Sequence, residues 1–324
     1  MGRLLLAAIA VIGVPAATCG YIILSEKLVA LLPDKRQRVA RPWFWVAPAV
    51  VLLLVFLVYP TISTIVLSFE GPDSTTFVGI DNYTFMFTDP SMLIALRNNI
   101  IWLVVFTACT VGFGLVVAVL SERVPYESLA KGIVFLPMAI SFVGAGVIWK
   151  FVYAFQPAGA AQTGLLNAIL VAIVPGFQPQ AWLINSPLND FALIAVAIWV
   201  WTGFCTVILS AALKGISREV LEAARTDGAN EWQVFRAVII PTISTTIAVV
   251  TTTMVIFALK AFDIVYVMTN GNYGTDVLAN RMYTEMFTND NFGRASAISV
   301  ILLVAIIPVM LGNIQRFRQQ EETR

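Results

Sequence analysis

The sequence predicts an all-α integral membrane protein, a polytopic bundle of about seven transmembrane helices. Of its 324 residues, 59% are hydrophobic and only 12% are charged, whereas about 25% of the residues of an ordinary soluble domain are charged. A surface this apolar requires lipid as its solvent. The hydrophobic residues also fall in runs of about 20, the length that a helix needs to cross a bilayer core about 30 Å thick.

Seven hydrophobic runs are long enough to cross the membrane. They are residues 4–24, 43–69, 98–121, 131–154, 191–213, 241–262 and 295–315. The segment 164–175 is apolar but too short to cross, so we expect a helix at the membrane interface or against the outer face of the bundle. A cleaved signal peptide is the alternative for the first run, because it combines one basic residue, an apolar stretch and small residues.

Basic residues are concentrated in alternate loops, and this predicts the orientation. Most of the 20 Lys and Arg residues lie in the first, third and fifth connections and in the tail: Lys27, Lys35, Arg36, Arg38, Arg41, Arg123, Lys131, Lys214, Arg218, Arg225, Arg236, Arg316, Arg318 and Arg324. Cytoplasmic loops carry the excess of Lys and Arg. The C-terminus is therefore predicted to be cytoplasmic, and seven spans then place the N-terminus outside.

The composition excludes several functions. The chain contains no histidine, which removes His-dependent catalytic triads and HExxH zinc sites. A net charge of +1 gives no basic field for nucleic acid. The three cysteines, Cys19, Cys109 and Cys205, lie in separate apolar runs, so we expect neither a disulfide nor a metal site. We expect no catalytic residue, and the absence of a GxxxxGK[ST] loop assigns nucleotide chemistry to a partner.

Residues 214–241 form the long polar connection on the predicted cytoplasmic side. Ser217 is placed to cap a first short helix. Asp227-Gly228 predicts a turn, because glycine tolerates the positive φ that ends a helix. A second amphipathic stretch then continues to Pro241. A short helix, a turn and another helix at the membrane surface suit insertion into a groove on a soluble partner.

This connection resembles the EAA motif of importer-type ABC permeases. That motif reads EAA, three residues, Gly, nine residues, Ile, one residue and Leu-Pro. The matching residues here are Glu222, Ala223, Ala224, Gly228, Val238, Ile240 and Pro241. Val and Ile replace the Ile and Leu of the motif, and Asp227-Gly228-Ala229 has the common DGA form.

Outside this loop, the resemblance covers about residues 43–315 and narrows to the carbohydrate-uptake branch of these permeases. The segments that carry it are Tyr59-Pro60, Leu67-Ser68-Phe69, Phe77-Val78-Gly79, Asn82-Tyr83, Gly164-Leu165-Leu166-Asn167, Phe262-Asp263 and Met268-Thr269-Asn270-Gly271. The residues that follow, Asn272-Tyr273-Gly274, resemble permeases for α-glucosides and related disaccharides or glucosylglycerol.

The resemblance implies an importer-type ABC permease fold in the bacterial inner membrane. Residues 1–42 would form an N-terminal helix and basic linker, 43–315 a core of six helices, and 316–324 a cytoplasmic tail. The implied partners are a second homologous permease, two ATPase subunits that bind ATP and Mg, and an external solute-binding protein. This chain itself would hold no cofactor. Glu222 and Gly228 would transmit ATPase closure, with Ala223, Ala224, Asp227 and Pro241 as packing and turn residues of the same motif.

A sugar path is also implied by the resemblance. Counted from the EAA motif, the positions at which a maltose permease contacts its sugar are occupied by Trp201, Phe204, Met254, Phe257, Ala258 and Ala261. Some of these positions are polar in the maltose permease and apolar here, so the sugar and the pocket stay open, and the partner permease is an alternative main site. Lys260 joins the set because a charge within a span usually faces a cavity or a partner. Trp199 is predicted to face elsewhere, about 200° around the helix from Trp201.

Three alternatives remain at this point. The first keeps the ABC permease but changes the solute to a polyamine, phosphate or amino acid. The second is a secondary transporter, which predicts acidic residues inside spans, whereas the acidic residues here lie in loops or at span ends. The third is a membrane enzyme, which needs clustered polar catalytic groups that the spans lack.

Overall fold

The protein is helical throughout the part of the chain that its structure describes. A computed structural model describes the backbone of residues 2–322 and the side chains of residues 15–312. Within these residues, β-pairing is confined to one bridge between Glu70 and Phe77. The chain divides into two compact units, Met1–Val66 and Leu67–Arg324.

The first unit contains helix α1, Gly2–Ala30, and most of α2, Asp34–Leu67. The carboxylate of Glu26 on α1 accepts hydrogen bonds from Arg41 Nη2 at 2.9 Å and from Trp45 Nε1 at 3.1 Å, both on α2. The predicted first span falls within α1. The side chains of the first part of this span, up to residue 14, lie outside the described residues, so its crossing of the membrane and the alternative of a cleaved signal both stay predictions.

The second unit is built around long apolar helices. Helix α4 covers Pro90–Ser121, α8 covers Leu188–Lys214 and α14 covers Phe292–Glu322. Within the described side chains, four helices are long and apolar enough to cross a membrane, namely α2, α4, α8 and the Phe292–Gly312 part of α14. Two bent helix pairs raise this number to six. An all-α polytopic membrane fold is confirmed, while the count of seven stays a prediction.

Two of the predicted spans fall in bent pairs of helices, a change of direction that the hydrophobic runs do not report. The run 131–154 consists of α5, Glu127–Ala139, and α6, Phe142–Val152, which meet at 100°. Pro137 interrupts backbone hydrogen bonding there, and Ser141 Oγ caps α6 by accepting a hydrogen bond from Gly144 N at 3.1 Å.

The second bent pair starts in the polar connection that precedes the predicted span 241–262. Helix α10, Glu231–Thr242, meets α11, Ser244–Leu259, at 72°. Pro241 lies directly before the bend. Hydrophobicity alone does not report a change of direction, so the sequence indicates the length of such a span better than its path.

Helix α8 lies at the centre of the second unit. Its side chains Leu193, Ile194 and Val196 are almost fully buried. Gly203 permits a close approach to α5, because a Cβ atom at this position would lie 2.4 Å from the Val134 carbonyl oxygen. Small residues allow membrane helices to approach closely in this way. The approach fixes the part of α8 that also carries Trp201.

Short helices cover the end of the bundle opposite to the 214–241 connection. They are α3, Asp81–Thr88; α7, Leu165–Ile173; α12, Asp263–Met268; and α13, Leu278–Phe287. Helix α7 has nine residues, too few to cross, as expected for 164–175. Buried Asn167 holds it in place, because its Nδ2 donates to the Ala154 and Gln180 carbonyls at 3.1 and 3.0 Å.

Candidate coupling loop and solute cavity

The helix–turn–helix predicted for residues 214–241 is present. Helix α9 covers Arg218–Thr226, and α10 begins at Glu231. Gly228, between them, has a φ of +86°, a left-handed conformation that residues with a side chain rarely adopt. We call the segment 217–241 the coupling loop.

The residues expected to contact an ATPase lie mostly at the surface of the coupling loop. Glu222, Ala223, Asp227, Gly228 and Pro241 are exposed, and Ala224 is half-buried. A hydrogen bond from Thr226 Oγ1 to the Glu222 carbonyl at 2.9 Å lies within α9. The motif residues therefore supply little to the packing of this chain and remain accessible to another protein.

The capping of the coupling loop differs from the prediction. Ser217 occupies the capping position of α9, but its side chain makes no capping hydrogen bond. Asn230 caps α10 instead: its Oδ1 accepts from Gln233 N at 2.9 Å, and Gln233 Oε1 accepts from Asn230 N at 2.8 Å. This reciprocal pair is a capping box. The Asn-x-x-Gln spacing was the sequence signal for it.

Glu231 joins the coupling loop to the end of α4. Its Oε1 accepts from Arg225 Nε at 2.9 Å on α9, and its Oε2 accepts from Arg123 Nη2 at 2.8 Å in the connection that follows α4. All three side chains are about half exposed, so each ion pair is weak by itself. Together they connect three elements through one carboxylate. Sequence reasoning missed this contact, because Arg123 and Glu231 are far apart in the chain.

Trp201 lies in a cluster of aromatic rings from three helices. Its ring centroid is 3.8 Å from that of Phe257 on α11, 5.8 Å from Phe142 on α6 and 5.7 Å from Phe204 on α8 itself. Only 7% of Trp201 is exposed. Trp199 contacts Trp149 at 5.6 Å instead. The two tryptophans of α8 thus face different neighbours, as their helical positions predicted.

Trp201 also lines a cavity of about 50 Å³ within the second unit. Its walls are Trp102, Phe106, Phe142, Ala197, Trp201, Phe257, Lys260, Ala261, Phe262, Asp263 and Ile264. Ligand pockets usually enclose about 300 Å³ or more. The cavity is therefore closed to a sugar-sized molecule and must widen to admit one.

The seven residues proposed from sequence for the solute path separate into three groups. Trp201, Phe257, Lys260 and Ala261 line the cavity. Phe204 packs against the Trp201 ring at its edge. Met254 and Ala258 are fully buried in the helix core and do not line the cavity.

Sequence reasoning missed most of the opposite wall. Trp102 and Phe106 lie on a π-helical segment of α4, Trp102–Phe106, and such segments are frequent at functional sites. The indole Nε1 of Trp102 is buried and has no hydrogen-bond partner among the described residues. The sequence identified Phe262 and Asp263 only as one of the segments that carry the family resemblance, not as residues of the solute path. No local pattern of the sequence brings α4, α6, α8 and α11 together.

The charges of the cavity balance. Lys260 supplies one positive group and Asp263 one negative group, and both residues are exposed. The remaining lining is aromatic or aliphatic. An uncharged molecule with apolar faces and hydrogen-bonding edges suits this combination better than a strongly charged solute.

A polytopic helical bundle with an exposed helix–turn–helix loop and an aromatic cavity between its helices is the architecture of an importer permease. Residues 110–318 match the family described as "Binding-protein-dependent transport system inner membrane component", and the chain belongs to this family. It is therefore a multi-helix inner-membrane permease of an ABC importer, a transport component. The family sets aside the secondary transporter and the membrane enzyme.

The relatives extend over most of the chain. The osmoprotective compounds uptake permease protein GgtC of Synechocystis sp. is 58% identical over 86% of this chain and 100% of its own length. The α-glucoside transport system permease protein AglF of Rhizobium meliloti is 46% identical over 91% of this chain and 88% of its own. A bacterial ABC transporter chain involved in alginate import has the same fold, with a TM-score of 0.75, 22% identity, and coverage of 89% and 99%.

Proposed function

We propose that this permease translocates an α-glucoside or a related small glycoside across the inner membrane by alternating access. The observation that carries the proposal is the cavity around Trp201, in which aromatic rings from α4, α6, α8 and α11 surround a space bordered by Lys260 and Asp263. Aromatic faces match the C–H surface of a pyranose. The buried Trp102 Nε1 supplies a donor for a sugar hydroxyl.

The relatives support a glycoside over other solutes. AglF is named for α-glucosides and GgtC for osmoprotective compounds. Polyamine or phosphate transport would require a cavity with an excess of one sign of charge, and Lys260 and Asp263 balance instead. Because the cavity is small as it stands, the two permeases must rock apart to form the open site, and the partner permease lines the side of that open site that faces it.

The assembly that we propose contains this permease, a second homologous permease, two ATPase subunits and an external solute-binding protein. ATP and Mg bind to the ATPase subunits. Helix α9 enters a groove on one ATPase through Glu222 and its neighbouring alanines, and the turn at Gly228 passes ATPase closure to α10 and α11. The N-terminus is outside and the C-terminus is in the cytoplasm, in agreement with the distribution of Lys and Arg.

Uptake by the reconstituted complex tests the proposed solute class. With its own binding protein and ATPase subunits, the complex should accumulate radiolabelled sucrose or trehalose, and unlabelled α-glucosides should compete while lactose and methionine should not.

The small cavity and the likeness to GgtC favour a second candidate, a compact osmoprotectant such as glucosylglycerol. Preferential uptake of glucosylglycerol selects that candidate. Uptake of methionine or phosphate without uptake of any glycoside would overturn the proposal.

A further inference from the structure

A groove of about 550 Å³ lies in the second unit, at the end of α11 opposite to the coupling loop. Its walls come from α12, the loop 269–277, α13 and the start of α4. The lining is more polar than apolar and includes Asn270, Asp276 and Arg281, yet it also contains three aromatic rings. Its volume falls within the range of ligand sites, about 300–1,000 Å³.

The aromatic rings form a row that reaches the cavity. Phe287 and Tyr283 are 4.8 Å apart between ring centroids, Tyr283 and Tyr266 are 5.1 Å apart, and Tyr266 and Phe262 are 5.1 Å apart. The first three rings line the groove, and Phe262 lines the cavity that contains Trp201. We call these four rings the aromatic row. The aromatic row therefore links the lining of the groove to the lining of the cavity through ring-to-ring contacts.

The loop 269–277 is fixed by buried amides of α4 and α8. Asn98 Nδ2 donates to the carbonyls of Gly274 and Asp276 at 2.7 and 2.8 Å. Asn189 Nδ2 donates to the Tyr273 carbonyl at 2.9 Å. Asn98 and Asn189 are fully buried. The groove is therefore held in shape before any ligand arrives, which lowers the free energy needed to organise a binding site.

The polar wall of the groove carries donors and acceptors in balance. Arg281 forms an ion pair with buried Glu285 at 3.0 Å, while its Nε is buried without a partner among the described residues. The Asp276 carboxylate accepts from Asn280 Nδ2 at 2.7 Å, and burial raises the pKa of Asp276. Exposed Asn270 and Asn272 complete the rim. Amides, a carboxylate and a guanidinium beside aromatic rings are suited to an uncharged polyhydroxyl ligand.

We propose that this groove is a second saccharide subsite, which holds the glycoside at the outer end of the permease before it passes along the aromatic row to the cavity. The inference rests on the proposed function, because it takes the same class of ligand. It adds Tyr283, Tyr266 and Phe287 as residues that contact the sugar outside the cavity. The rival is that the second permease covers these rings.

Transport kinetics of the assembled complex distinguish a saccharide subsite from a surface that the second permease covers. Tyr283→Ala should raise the KM for sucrose uptake about twofold to tenfold, since an aromatic contact contributes about 0.5–1.5 kcal/mol, and Tyr283→Phe should keep the wild-type KM. Tyr273→Ala is the matched control: Tyr273 is exposed in the loop of the groove, but its side chain does not line the groove. Unchanged KM in Tyr283→Ala overturns the inference, and so does loss of the second permease on purification.

Labelling gives a measurement that does not depend on transport. With Cys19, Cys109 and Cys205 replaced by alanine, Thr288→Cys places a thiol in the groove lining. Saturating sucrose should slow the reaction of this thiol with a membrane-impermeant maleimide at least about threefold, as expected for occupancy of an adjoining site. Sucrose should not change the labelling rate of the Tyr273→Cys variant. Equal labelling rates with and without sucrose contradict the subsite.

The two proposals fail in different ways. If Trp201→Ala raises the KM while Tyr283→Ala does not, only the groove inference fails. If the wild-type complex takes up no glycoside, the proposed function fails first.

Discussion

The coupling loop and the cavity differ in how their residues are held. The motif residues Glu222, Asp227 and Gly228 are exposed and contribute little to the packing of the chain, whereas Trp201 is enclosed by rings from other helices. The loop is recognisable because its motif is a local pattern of residues along the chain. The cavity depends on tertiary packing, and its composition can change with the solute. We therefore expect that the sequence of the loop varies less between permeases than the lining of the cavity does.

The coupling loop and the end of the bundle that carries the groove are expected to lie on opposite sides of the membrane, and the largest predicted effect follows from this. A reporter enzyme that is active only outside the cell should work when it is fused after Asp276 and fail when it is fused after Asn230. The reason is the excess of Lys and Arg on the side of the coupling loop. Enzyme assays on whole cells measure the difference, and activity at Asn230 would place the coupling loop where no ATPase can reach it.

Disturbing the turn of the coupling loop should uncouple ATP hydrolysis from transport. Gly228 has a φ of +86°, and proline fixes φ near −65°. Gly228→Pro should reduce sucrose uptake by about tenfold or more, because the turn must reorganise at a cost of about 1–3 kcal/mol. Gly228→Asn should retain more uptake, since asparagine tolerates the left-handed region. Normal uptake by the proline variant, at equal amounts of assembled complex, would show that the turn geometry is not needed.

Removing the carboxylate of Glu231 should have a smaller effect. Glu231→Gln weakens the pairs with Arg225 and Arg123, which are 2.9 and 2.8 Å long. Because surface pairs are weak, we expect uptake to fall about twofold to threefold, with a shallower dependence on salt than in the wild type, because the variant lacks the ion pairs that salt screens. Glu219→Gln, on the exposed side of α9, is the control. An equal loss in both variants would assign the effect to overall charge rather than to this contact.

Local signals account for what the sequence could predict. The EAA spacing located Glu222 and Gly228, and positive φ at Gly228 follows from the Asp-Gly turn. Hydropathy located α8 within a few residues at both ends and the C-terminal end of α4, whereas α4 begins at Pro90, well before the predicted span 98–121. It gave no sign of the 100° bend between α5 and α6, although Pro137 was a visible helix breaker.

The lining of the cavity could not be predicted from the sequence, because it depends on how the helices pack in the tertiary structure. Trp102 and Phe142 reach the cavity only because α4 and α6 pack beside α8, and nothing in their local sequence distinguishes them from other aromatic residues in spans. Counting from the EAA motif placed Met254 and Ala258 on the solute path; both are buried in the core of this closed structure, and their role on the path stays a prediction. Positions transfer between relatives more reliably than side-chain surroundings do.

The most direct test of the account compares the two tryptophans of α8 in one reconstituted complex. Trp201 lines the cavity, and Trp199 packs against Trp149. Trp201→Ala should raise the KM for sucrose uptake about tenfold, with subunit assembly and basal ATP hydrolysis unchanged, and Trp199→Ala should keep the wild-type KM. A wild-type KM in Trp201→Ala with intact assembly, or a raised KM in Trp199→Ala alone, would contradict a solute site in this cavity.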